Sequence, residues 1–188
     1  MKKRHEIDMT SGPLALNILL FSLPLMMSQI LEVLFNLSDV AIAGKFADYR
    51  ALGAVGSTTL LVSLFTGFLI GIGSGVNVCV AHKLGMGDEK GVRTTVCSAL
   101  AICAAAGVMV GAVCFACARP FLALLGTKDE LMDGAVLYLK IYSLGMPAMA
   151  VYNFGNGVLS AAGETRKPLV YLTIAGIQNA IFAIANLF

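Results

Sequence analysis

The chain has 188 residues, of which 58% are hydrophobic and only 13% are charged, and its net charge is +2. Ordinary soluble domains carry about 25% charged residues, so this chain has too few polar side chains to cover the outside of a soluble fold. The composition excludes most soluble enzymes and disordered proteins. The mild positive charge argues against nucleic acid as a partner. What remains is a protein that places several segments in a lipid bilayer.

Five apolar stretches are each long enough for a transmembrane helix, which needs about 20 residues. Their unbroken apolar character favours helices over the alternating segments of a membrane barrel. We therefore predict an all-α, polytopic membrane protein with short connections. The predicted spans are residues 14–44, 51–81, 94–118, 134–163 and 168–188. The longest polar connection contains an apolar run that begins at Phe121, which indicates a short interfacial helix.

The basic residues predict the orientation, because cytoplasmic loops carry an excess of Lys and Arg. A cytoplasmic N-terminus places the larger group of basic residues inside, namely Lys2, Lys3, Arg4, Lys83, Lys90, Arg93, Arg166 and Lys167. The smaller group then lies outside, namely Lys45, Arg50, Arg119, Lys128 and Lys140. We therefore predict a multi-pass protein of the cell membrane with its N-terminus in the cytoplasm.

Polar residues inside the first span are the first candidate functional residues, since a charge inside a bilayer costs roughly 2.5–3.5 kcal/mol on insertion scales. Asp39 lies in the outer half of this span, and Glu32 lies two turns earlier on nearly the same face. Asn36 lies between them. This polar stripe predicts a cation or proton site in a cavity, although carboxylates at the membrane interface would also give it.

The fourth and fifth spans contribute further polar residues. Tyr138, Asn153 and Asn156 lie in the fourth span, where the two asparagines share a face, and Asn179 lies in the fifth. They are candidates for lining a cavity. Asparagine also commonly bonds membrane helices to one another, so both interpretations stay open.

Glycines in the second span have the spacing Gly67-x-x-x-Gly71-x-x-x-Gly75, which predicts close approach of a neighbouring helix. The sequence contains no HExxH, GxSxG or P-loop motif. We therefore expect neither an enzyme nor catalytic residues. The two histidines are far apart, so we expect no metal site and no cofactor other than a coupling ion.

The order of several motifs resembles the multidrug and toxic compound extrusion (MATE) family over essentially the whole chain. The resemblance rests on Met9-Thr-Ser-Gly-Pro-Leu-Ala, Leu23-Pro24, Asn36-Leu-Ser-Asp39-Val-Ala-Ile-Ala-Gly44, Leu52-Gly-Ala-Val-Gly56, Gly71-Ile-Gly-Ser-Gly75, His82-Lys-Leu-Gly-Met-Gly-Asp88, Tyr138-Leu-Lys-Ile and Leu159-Ser-Ala-Ala-Gly163-Glu-Thr-Arg-Lys-Pro168. It implies a fold of twelve helices in two lobes, of which this chain is the first. It also implies export of small-molecule organic cations, driven by protons or sodium ions.

The resemblance further implies a cation-coupling cluster in the first lobe. Asp39, Tyr138 and Asn179 match three of its members in one branch of the family, whereas the fourth member is replaced by Ala183. Glu32 stands where the family often has glutamine, so it is a candidate for an additional titratable group.

The chain ends within the fifth predicted span, so we expect a truncated product or partial sequence of a longer transporter that lacks its C-terminal lobe. Such a lobe alone is not expected to export drugs. Two other functions stay open. One is a flippase for lipid-linked sugars from the same superfamily, which would favour basic residues in its cavity. The other is a membrane scaffold that does not transport.

Overall fold

The structure, a computed structural model, describes residues 14–46 and 49–185, without the side chains of residues 14, 36, 38–46, 51 and 179–185. These residues form six helices: α1 (Leu14–Phe46), α2 (Tyr49–Gly85), α3 (Glu89–Ala116), α4 (Ala118–Leu124), α5 (Asp129–Ala161) and α6 (Arg166–Ala185). The all-α prediction is confirmed. The count differs from the five predicted spans because the longest connection folds as the short helix α4.

Four helical segments are long and apolar enough to cross a membrane: Ala15–Phe35, Leu52–Gly85, Glu89–Ala116 and Asp129–Ala161. They correspond to the first four predicted spans. The fifth predicted span begins in α6 and runs into residues outside the description. Many large apolar side chains on these helices are exposed, for example Leu19, Leu64 and Leu144 at 62%, 62% and 71%. In a bilayer such side chains contact lipid, so their exposure costs nothing there.

The connection between α2 and α3 is set by two residues. Gly87 has a φ of +69°, a left-handed conformation that glycine adopts without steric cost and that ends α2. Asp88 then caps α3, because its carboxylate accepts a hydrogen bond from the Gly91 N–H at 2.9 Å. Two consecutive residues therefore reverse the chain direction.

The chain divides into two units, residues 1–42 with 159–188 and residues 43–158. In the first unit, α1 and α6 meet where the Phe35 ring lies directly over Gly176, so that any side chain at that glycine would overlap the ring. The buried carboxylate of Glu164 pairs with the Lys167 ammonium at 3.4 Å, one turn along the chain.

The second unit has an apolar core built from α2, α3, α4 and α5. Its buried residues are Ala54, Leu61, Leu69, Cys114, Ala118, Leu122, Met132, Ala135, Leu139, Met146 and Ala150. Phe121 of α4 packs on Phe65 of α2, with ring centroids 5.9 Å apart, so the short helix lies against the bundle.

Helix directions in this unit alternate as successive membrane crossings require. Helices α2 and α5 run parallel, since Gly53 packs on Leu131 near their starts and Gly73 packs on Asn153 near their ends. Helix α3 runs opposite to α5, because Gly107 meets Ala150 whereas the later residue Gly111 meets the earlier Ser143. Helices α2, α3 and α5 overlap the second, third and fourth predicted spans.

The glycine contact expected in α2 is made by a different glycine. A methyl group at Gly67, Gly71 or Gly75 would meet no described atom within 4 Å, whereas one at Gly73 would lie 2.8 Å from the Asn153 carbonyl oxygen. Successive residues of a helix are about 100° apart, so Gly73 lies on the opposite side from Gly71 and Gly75. Among the described residues, the close contact of α2 therefore uses the face of Gly73 and not the face that the spacing predicted.

Candidate functional site

Two tyrosines and a threonine form a polar cluster between α2 and α5. The hydroxyl oxygens of Thr66 and Tyr142 are 3.2 Å apart, and either can donate the hydrogen bond. The ring of Tyr138 stacks on that of Tyr142, with centroids 6.2 Å apart and an angle of 28° between the planes. All three side chains are half-buried. The cluster therefore holds hydroxyl groups in fixed positions within an apolar bundle.

The cluster belongs to a longer polar stripe on one side of α5, which we define as Tyr138, Tyr142, Asn153 and Asn156. Their spacing places them on one side of the helix, over about 27 Å at ~1.5 Å per residue. Each is half-buried. The stripe is suited to contacting polar or cationic groups by hydrogen bonds without a formal charge of its own.

Close backbone packing brings the Asn153 end of the polar stripe against α2. The amide of Asn153 donates to the carbonyl of Met149 at 3.0 Å, so part of its hydrogen-bonding capacity is met within its own helix. One turn further, Gly157 lies against the Gly73 carbonyl so closely that any side chain would overlap it. Small residues on both helices make this approach possible.

The structure describes the side chains of only some of the predicted site residues. The side chains of Asp39, Asn36 and Asn179 lie outside the description, so the predicted cation-coupling cluster stays a prediction. Glu32 is half-buried on α1. Tyr138 lies on α5 in the second unit, where the structure brings it together with Tyr142.

Sequence reasoning missed Thr66 as a functional candidate. Threonine occurs at many positions in membrane helices because its hydroxyl can bond to the preceding turn of its own helix, as Thr58 and Thr173 do here. Thr66 instead reaches across to another helix. Only the register between α2 and α5 distinguishes these cases, and a single sequence does not contain it.

Ionic groups lie at both ends of the second unit. At the α2–α3 connection, the pKa of Asp88 is held below its usual value. The main cause is the hydrogen bond from the Gly91 N–H, and the Lys83 ammonium at 3.4 Å contributes less. At the other end, Arg119 pairs with Asp133 at 3.4 Å, with both side chains largely exposed. Within residues 14–46 and 49–185, no group of three His, Cys, Asp or Glu side chains is placed to hold a metal ion.

Long apolar helices that alternate in direction and carry polar groups along one side define a polytopic helical membrane protein. The family model MatE matches residues 24–185. The chain therefore belongs to the multidrug and toxic compound extrusion family, which confirms the resemblance drawn from the motifs.

Individual relatives and solved structures are similar over most of this chain. It is 27% identical over 176 residues to the probable multidrug resistance protein YpnP of Bacillus subtilis (strain 168), covering 94% of this chain and 40% of YpnP. It is 25% identical over 181 residues to an FAD transporter of Shewanella oneidensis, covering 96% and 39%. An outward-facing multidrug resistance transporter of the MATE family superimposes with a TM-score of 0.81 at 21% identity, over 87% of this chain and 36% of that chain. The last comparison shows the fold, and the chain spans about 40% of the length of YpnP.

Proposed function

We propose that this chain forms the first lobe of a cation-coupled transporter that exports organic cations, including drugs. Family membership and the names of relatives such as YpnP support efflux transport. The observation that carries the proposal is the polar stripe of α5, with its hydroxyl pair between Thr66 and Tyr142. Transporter sites lie near the bilayer midplane between structural repeats, so the stripe would form one wall of the site and the C-terminal lobe the other.

Asp39 is the principal coupling carboxylate in this proposal. It is an acidic residue within an apolar span, and intramembrane carboxylates mark ion and proton pathways. Uptake of a proton or of a sodium ion by its oxygens would alternate with binding of the exported cation. Tyr138 and Asn179 would donate hydrogen bonds to the group, and Glu32 would be a second titratable carboxylate.

The test is Asp39→Asn in the complete transporter, assayed for efflux of a fluorescent organic cation at several pH values and sodium concentrations. Asp133→Asn is the matched control, because Asp133 is a 90% exposed carboxylate near the start of α5, at one end of the candidate span Asp129–Ala161. We expect Asp39→Asn to abolish coupled efflux and Asp133→Asn to retain it, at equal amounts of protein in the membrane. Efflux at the wild-type level, with unchanged dependence on pH and sodium, would show that Asp39 is structural.

The same assay separates the substrate classes. Because one relative is an FAD transporter, the compounds tested in the assay should include FAD beside the organic cations. Our proposal requires that organic cations are moved and that FAD is not. Transport of FAD alone would place the substrate among anionic nucleotides and would leave the role of Asp39 to be tested separately.

A further inference from the structure

A groove of about 360 Å³ lies between α3 and α5 in the second unit. Val108, Phe115 and Leu144 provide its apolar walls, and Gly111 provides its floor where the two backbones approach. Val108, Phe115 and Leu144 are 58%, 43% and 71% exposed. The groove is therefore an open apolar channel along the surface of the bundle.

Lys140 lies at the mouth of this groove. Its ammonium is 5.1 Å from the centroid of the Phe115 ring, which also lines the groove. Lys140 is half-buried, and no carboxylate among the described side chains lies within ion-pair distance of it. A cation–π contact offsets only part of the cost of holding an ammonium in apolar surroundings. The position therefore favours an anion next to Lys140.

The depth of Lys140 matches the level of lipid phosphates. Ala161 ends α5 and is followed at once by the charged residues Glu164, Arg166 and Lys167, which mark one membrane surface. Lys140 lies about 31 Å from Ala161 along the helix axis, at ~1.5 Å per residue. The hydrocarbon core is also about 30 Å thick, so Lys140 lies near the opposite surface.

The groove is separate from the proposed transport site. Lys140 lies two residues from both Tyr138 and Tyr142, and two residues correspond to a rotation of about 200° around a helix. Lys140 and the polar stripe are thus on opposite sides of α5. A ligand in the groove would not obstruct a substrate at the stripe.

We propose that the groove binds one acyl chain of an anionic phospholipid whose phosphate pairs with Lys140. The lipid supplies both an apolar chain for the channel and an anion at the level of the ammonium. A covering apolar helix would fill the channel and leave the ammonium unpaired. Two turns before Lys140, Asp133 is already paired with Arg119. An ammonium without an ion-pair partner among the described side chains favours phosphatidylglycerol, which carries a net negative charge, over a zwitterionic lipid.

The experiment is a titration of the purified protein in detergent with phosphatidylglycerol or phosphatidylcholine, with native mass spectrometry to count bound lipids. Lys140→Gln removes the ammonium, and Lys140→Arg keeps the charge. Ala112→Leu fills the groove without changing charge, since Ala112 is an exposed lining residue. Lys128→Gln is the matched control, because Lys128 is an exposed lysine in the connection that precedes α5.

We expect Lys140→Gln to weaken phosphatidylglycerol binding about fivefold, the effect of about one basic residue near a membrane surface. Ala112→Leu should weaken binding of both lipids, whereas Lys140→Arg and Lys128→Gln should bind as the wild type does. Equal binding by Lys140→Gln and wild type would overturn the proposal. Equal losses for Lys140→Gln and Lys128→Gln would also overturn it, because they would indicate general surface attraction.

Discussion

The two sides of α5 are packed in the same way and carry different chemistry. Towards α2, Gly157 lies against the backbone of Gly73; towards α3, Pro147 and Ala150 lie against Gly107. The side towards α2 bears the neutral hydroxyl and amide groups of the polar stripe. The side towards α3 bears an apolar groove that ends at Lys140.

Glycine contacts therefore hold the helices together on both sides of α5. They do not by themselves distinguish the proposed transport site at the polar stripe from the groove that faces lipid. The distinction lies in the polar groups between the contacts. Neutral hydrogen-bonding groups that are held by a neighbouring helix are suited to a site that substrates enter and leave. A single cation at the end of an apolar groove is suited to a lipid that stays bound.

The prediction with the largest expected effect concerns which membrane surface each end of α5 faces. In a variant whose five native cysteines are replaced, Lys128→Cys should react with an impermeant maleimide added to intact cells. Lys90→Cys should not react. The reason is the predicted cytoplasmic N-terminus, which places Lys128 outside and opens the groove to the outer leaflet. Labelling at Lys90 and not at Lys128 would reverse the topology and assign the groove to the inner leaflet.

The glycine contacts should contribute to stability on both sides of α5. At Gly107 an added methyl group would lie 2.6 Å from the Ala150 Cβ, and at Gly157 it would overlap the Gly73 carbonyl. Gly107→Ala and Gly157→Ala should each lower the free energy of unfolding by about 1–3 kcal/mol, measured by denaturant titration in mixed micelles.

Gly145→Ala and Gly155→Ala are the matched controls on α5, because no described atom lies within 4 Å of a methyl group at either position. They should change stability little. If all four variants were equally destabilised, the loss would reflect a general intolerance of alanine at glycine positions of the bundle and not the two contacts.

The fold was predictable from the sequence to a greater degree than the candidate site. Apolar runs of 20 or more residues locate helices because a bilayer requires every backbone group to be hydrogen-bonded, and α1, α2, α3 and α5 lie where the first four spans were predicted. Which face of α2 meets α5 depends on helix register, so the sequence selected Gly71 and Gly75 where the contact uses Gly73. The Thr66–Tyr142 pair was missed for the same reason. Asp39, the strongest sequence candidate, stays a prediction.

The hydroxyl pair should have a smaller effect on stability than the glycine contacts. Tyr142→Phe removes the hydrogen bond to Thr66 and keeps the ring that stacks on Tyr138. Hydrogen bonds between membrane helices contribute about 0.6 kcal/mol on average. A double-mutant cycle with Thr66→Val should give a coupling energy of about this size, and Tyr138→Phe should give none with Thr66→Val. A zero coupling energy for the first pair would show that the two hydroxyls do not interact.

The smallest effect of all is expected at the exposed ion pair of Asp133. The two ends of the second unit differ, as the two sides of α5 do. Asp88 accepts a backbone hydrogen bond from Gly91, whereas Asp133 has only an exposed partner, and such surface pairs contribute little. Asp88→Ala should therefore lower the melting temperature more than Asp133→Ala.

The lowered pKa of Asp88 means that its carboxylate stabilises the fold above its unfolded pKa, near 3.8, and that this contribution is lost as the pH falls below that value. Melting curves between pH 3 and 7 should show this loss in the wild type, and Asp88→Asn should reduce it while keeping a capping group. An identical pH dependence in Asp88→Asn and wild type would assign the acid sensitivity to other carboxylates.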